Sequence, residues 1–187
     1  MATWTVMVTV TEDQWLELHK RTLDCIRAVL AGCSRDDLLW QPVATGEAPR
    51  EVACLDPRPF CIGAIVSHLC AVEAERLVEV KVPADFAAPR ECDWNTETFA
   101  NILDRIEHQY HGVLKKGYKD RRVLFGLGRV CQHNLYHLAQ LVHLRCRRDP
   151  DWRPPLAGQA GSWMRAVDYM TDLLILGDKA AQTPSQT

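Results

Sequence analysis

A chain of 187 residues, 47% hydrophobic and 25% charged, is long enough to bury one sizeable core and short for two. Its formal charge of −2 offers no basis for a nucleic-acid or anionic-membrane partner. No run approaches the roughly 18 apolar residues of a membrane span, and Met1 to Val10 lacks the basic and long apolar regions of a secretory signal. The expectation is a cytoplasmic protein with one domain over residues 1–177 and a loose polar tail at 178–187.

The β-branched leader Thr3 to Val10 suits either a short strand or an arm on a partner subunit. Thr11-Glu-Asp-Gln14 then has the form of a capping box, with Val10 and Trp15 as a hydrophobic staple. Trp15, Leu18, Thr22, Cys25, Ile26, Val29 and Leu30 recur at helical spacing, and the pattern stops near Gly32. From Cys33 to Pro59 the chain is rich in Pro, Gly and charge, with one or two helical turns expected at Ser34–Trp40. Such a long connection suits a segment that spans the end of a bundle or covers a site.

A second long helix is expected from about Pro59 to Val80, ending before Pro83. Cys61, Ala64, Ile65, His68 and Val72 share one face of it, and Glu73, Arg76 and Glu79 are expected to look outward. Asn95 caps a third, with Trp94 and Phe99 in staple positions, Phe99, Ile102, Ile106, Tyr110 and Val113 as its stripe, and Gly117 as its end. His108 and His111 fall on the polar side of that stripe. A fourth begins near Val123 or shortly after Gly128 and runs to about Arg147, with Val130, His133, His137, Leu141 and Leu144 in one line. Arg145, Arg147 and Arg148 form a basic last turn that complements the helix dipole. A final helix runs from its Ser162 cap to Gly177. The fold class is therefore all-α: a four-helix bundle with an additional C-terminal helix.

Eight cysteines without a Cys-x-x-Cys, in a chain that is no small secreted scaffold, read as reduced thiols. Cys25, Cys61, Cys70 and Cys131 suit small core positions. Cys131 precedes His133 by two residues, which turns its side chain away from the histidine face.

His133 and His137, four apart, stand on one helix face with Cβ atoms roughly 5–6 Å apart, close enough for both rings to reach one ion. The third nitrogen falls to His68, inside the other apolar helix; His143 lies on nearly the opposite side of the His137 helix. Three protein nitrogens leave a coordination position open, as reactive rather than structural metals require. Three separate core histidines are the alternative, but each imidazole buried without a partner would cost about 1–3 kcal/mol. Gln140, one turn beyond His137, is placed either to orient a ligand or to face solvent. Nitrogen donors suit Zn, Ni, Fe or Cu.

The runs Ile62-Gly-Ala-Ile-Val-Ser-His68-Leu69 and His133-Asn-Leu-Tyr-His137-Leu-Ala-Gln140 resemble the DinB/YfiT-like family. Leu38-Leu-Trp40-Gln-Pro42 looks like its Trp-x-Pro segment, and Ser162-Trp163 through Asp168 like its closing helix. The likeness extends from about Gln14 to Gly177. It implies a four-helix bundle in which His68, His133 and His137 bind a divalent metal, commonly within a homodimer. Two departures stand out: Ala64 replaces a frequent tryptophan, and His137-Leu-Ala-Gln140 replaces a frequent His-Arg-Gly-Gln, which removes an arginine.

The first functional expectation is a metal-dependent S-transferase that uses a low-molecular-weight thiol on small electrophiles, as the resemblance implies from bacillithiol- and mycothiol-using relatives. The second is a metal-dependent hydrolase, weakened because Asn134 stands where His-Glu-x-x-His has its glutamate. The third is a non-catalytic, stress-related interaction domain. Its basic cluster of Lys115, Lys116, Lys119, Arg121 and Arg122 reads as a solvated helix end rather than a nucleic-acid surface. Neither the catalytic base nor the thiol-binding residues are specified by any motif.

Overall fold

Regularly spaced apolar residues produce four long helices in the structure, a computed structural model that describes residues 12–42, 60–79, 82–115 and 121–153. They are α1 (Glu12–Leu30), α3 (Ile62–Glu79), α4 (Thr96–Lys115) and α5 (Arg121–Arg148), joined by the short α2 (Arg35–Leu39) and a 3-10 turn at Glu91–Asp93. No strand occurs among the described residues. Helices α1 and α3 each pack against both α4 and α5. That pattern closes a bundle in which α1 lies diagonally across from α3, and α4 from α5. The all-α bundle is thus as expected. The leader, the Thr11 cap, Gly117, the final helix from Ser162 and the tail lie outside the described residues, and so do the side chains of the basic cluster.

Local signals explain where the elements begin and end. Gly32, at a φ of 73°, turns the chain after α1 in a conformation that costs a glycine little. Ser34 and Asp37 form a reciprocal capping box at the start of α2. Asn95 Oδ1 accepts from the Thr98 amide at 2.8 Å, and the Trp94 and Phe99 rings meet at 6.5 Å across the start of α4. Helix α3 is buried at every position from Ile62 to Val66, so it enters the bundle apolar all round. Trp94, which donates to the Pro89 carbonyl at 3.1 Å, lies over its first turn at Gly63.

Ile26, Leu69, Phe99, Ile106, Leu127 and Leu138 are among the fully buried side chains at the centre. Each contributes on the order of 1.5–3 kcal/mol from apolar burial. Four side chains, Trp15, Cys25, Glu73 and Arg145, depart from the expectations. On α1 the expected Leu18, Thr22, Ile26, Val29 and Leu30 are buried, Leu16, His19 and Leu23 are buried beside them, and Trp15 and Cys25 sit at the edge. The stripe is wider than expected because α1 faces two neighbours, α4 and α5, rather than one. Glu73 does not look outward but is 1% exposed, because its partners arrive from other helices. Arg145 is also buried: its guanidinium donates to Cys33 Sγ at 3.0 Å and lies 3.7 Å from Asp37, so its role goes beyond complementing the dipole. Cys61, Cys70 and Cys131 are buried free thiols. Burial raises the thiol pKa of all three, Cys70 to about 12.

Candidate metal centre

Helical spacing brings His133 and His137 onto the same line of α5 as Val130, Leu141 and Leu144, so the bundle encloses their rings as it would enclose leucines. His137 is 1% exposed, and His133 is half-buried. Helix α3 packs directly on α5 and delivers His68, also half-buried, from the facing side. His68 Nε2 lies 3.2 Å from His133 Nε2, and His137 Nε2 lies 3.1 Å from the same atom. The rings stand edge to face, with interplanar angles of 61°, 77° and 76°. A candidate ligand atom from each of the three lies within 4.8 Å of the others, and the group contains no Cys, Asp or Glu.

The separations can be compared with coordination geometry. Metal–nitrogen bonds of about 2.0–2.1 Å at tetrahedral angles place ligand nitrogens about 3.3–3.4 Å apart, close to the distances observed. Hydrogen bonding alone fits less well. An imidazole nitrogen carries either one lone pair or one proton in the ring plane, so His133 Nε2 satisfies only one of its two short contacts. Its other nitrogen, Nδ1, is buried without a partner. Burial, followed by the adjacent His137 and His68 rings, lowers the His133 pKa to about 4, against the opposing influence of Glu73. Near neutral pH its lone pair is therefore free to bind a cation.

Gln140 sets the state of His137. Its amide nitrogen donates to the Tyr136 hydroxyl at 3.1 Å, so its Oε1 faces His137 Nδ1 at 2.7 Å as an acceptor. The proton then sits on Nδ1 and the lone pair on Nε2, the atom that points into the cluster. Tyr136, whose ring lies 5.0 Å from that of His137, is 44% exposed beside the site.

The remaining histidines divide differently. His108 and His143 are exposed and His111 is half-buried; none belongs to the cluster. His19 is buried on α1, where its Nε2 lies 3.0 Å from Glu73 Oε1. Asn134 Nδ2 donates to the same oxygen at 2.9 Å, and the Tyr110 ring packs 4.6 Å from that of His19. The phenol pKa of Tyr110 is raised by burial and then by the charge of Glu73. Of these residues only His19 went unnamed in the sequence, although it carried a readable signal: it stands three residues after Leu16 and four before Leu23, within the buried stripe. Among the described residues, no helix is long and apolar enough to cross a membrane.

No protein-family model, curated protein or solved structure matches this chain.

Proposed function

We propose that His68, His133 and His137 hold a divalent transition metal and that the protein is a metal-dependent transferase of low-molecular-weight thiols onto small electrophiles. The metal reading is carried by one observation: the Nε2 atoms of His68 and His137 each lie within 3.2 Å of His133 Nε2, close to the edge of a tetrahedral site, and the three histidines offer nitrogens within 4.8 Å of one another. The donor set is three neutral nitrogens, which suits Zn, Ni or Fe and leaves room for an incoming ligand. When bound, such an ion supplies positive charge that brings the pKa of a small thiol toward neutrality.

The chain's own residues hold and orient. Gln140 keeps the His137 lone pair on Nε2, and the bundle core fixes both α5 rings. His68 and His133 retain partial exposure, which gives a small molecule a side from which to approach. In the transfer, the thiolate sulfur bonds to the electrophilic carbon, the leaving group departs with the bonding electron pair, and the thiol proton passes to solvent. Hydrolysis is less well supported because the cluster contains no carboxylate, and Asn134, beside His133, is engaged with Glu73. The choice of thiol chemistry rests on the DinB/YfiT-like resemblance of the two histidine runs.

Elemental analysis of protein purified without chelators, beside a His137→Ala variant, tests the metal. Near-stoichiometric metal in the first and little in the second is expected; equal contents would overturn the reading. Metal-loaded protein is then incubated with a general electrophile and a panel of small thiols. Thiol loss that requires His137 supports transfer, whereas turnover without thiol identifies a hydrolase.

A further inference from the structure

All four long helices contribute to one polar layer in the middle of the bundle: His19 from α1, Glu73 from α3, Tyr110 from α4 and Asn134 from α5. Glu73 is at its centre and is the only buried carboxylate among the described residues. Its Oε1 takes both His19 at 3.0 Å and Asn134 at 2.9 Å, while its buried Oε2 lacks a well-formed hydrogen bond and the Tyr110 hydroxyl interacts with the same carboxylate. Asn134 directly follows His133, so the carboxylate holds α5 at the residue next to a cluster histidine. His133 Nδ1 is a second buried polar atom without a hydrogen-bond partner, and it makes no hydrogen bond with Glu73. The charge of Glu73 reaches the His133 ring.

These facts bear on a problem of charge. Three neutral imidazoles bring a divalent cation into the bundle with nothing to balance it, and a carboxylate in the same core is costly without a cation nearby. When a histidine gives its Nε2 lone pair to a metal, Nδ1 becomes a proton donor that seeks an acceptor, commonly a carboxylate. Resting on the metal reading above, we propose that Glu73 is a positioning residue of the centre: it fixes α5 at Asn134 and supplies the negative charge that balances the cation and the Nδ1–H of His133. Its energetic role is then chiefly its charge. The His19 bond serves to hold the carboxylate in the core.

The test is zinc affinity, measured by competition with a chromophoric chelator, together with the visible absorption of the Co(II)-loaded protein. Glu73→Gln, which keeps the shape and removes the charge, lowers zinc affinity about 10–100-fold. The Co(II) bands keep their positions, because the same three nitrogens bind. Glu73→Asp and His19→Asn, which both retain the negative charge, stay within about threefold of wild type, well short of the loss expected when an outer partner is removed. Wild-type affinity in Glu73→Gln overturns the inference alone. Equal losses in all three variants also overturn it, since they mark a merely structural role. Should Glu73→Gln fail to fold, a large loss in the two charge-retaining variants still sinks the proposal. A wild-type protein that binds no zinc sinks the metal reading first and this inference with it.

Discussion

His133 and His137 stand on successive turns of α5 with their Nε2 atoms 3.1 Å apart, and His68 of α3 approaches the first of them to 3.2 Å. Of the two short contacts at His133 Nε2 only one can be a hydrogen bond, so without a shared cation the other sets two lone pairs or two protons against each other. The local arrangement costs stability unless a cation is shared. Functional sites often carry such a cost, which the surrounding core offsets.

Replacing one nitrogen therefore has opposite effects with and without metal. His133→Leu is expected to raise the Tm of chelator-treated protein, because it removes a buried polar atom that has no partner. The same change abolishes the zinc-induced rise in Tm, which for wild type corresponds to about 2.7 kcal/mol at a free zinc concentration 100 times Kd. Thermal unfolding with and without zinc measures both; a zinc response that survives in His133→Leu contradicts the proposed ligand set.

The link from Gln140 to His137 predicts a graded effect. Gln140→Leu frees His137 to carry its proton on either nitrogen, and zinc affinity falls about 10-fold, the lower end for loss of a partner that orients a ligand. Gln140→Glu keeps an acceptor facing Nδ1 and restores or exceeds wild-type affinity. Chelator competition distinguishes the two, and equal affinity in both variants would remove Gln140 from the centre.

Gly63 tests the packing that carries His68. A Cβ at this position would come within 2.9 Å of Trp94 Cδ2, in a ring held by its hydrogen bond to Pro89. Gly63→Ala is expected to destabilise the fold by about 1–3 kcal/mol through overpacking, despite the better helix propensity of alanine. Denaturant unfolding measures it. A wild-type midpoint would show that the Trp94 ring does not press on α3.

Asp37 predicts a pH dependence where α2 meets the last turn of α5. Burial would raise its pKa, but hydrogen bonds from Arg148, at 2.8 Å, and Ser34 prevail and lower it to about 2. A carboxyl whose folded pKa is depressed contributes stability above its unfolded pKa and loses it as pH falls through the folded value. The stability gap between wild type and Asp37→Asn should therefore hold from pH 7 to about 4, then close toward about pH 2. Urea unfolding across that range reads it; a gap that widens on acidification would reverse the assignment.

Much of this architecture was legible in the residues themselves. Helical periodicity, the cap at Asn95 and the glycine after α1 are local, because helical hydrogen bonds join residues four apart; they located all four long helices. The same arithmetic placed His133 and His137 on one face and pointed to His68 as their companion. What no local rule supplied was the meeting of side chains from different helices. Glu73 reads as a solvated residue of α3 until His19 and Asn134 are brought to it, and Arg145 reads as a helix-end charge until Cys33 and Asp37 close around it. Such partners are separated by 54 to 112 residues, and only the packing of four helices around a common core decides that they touch.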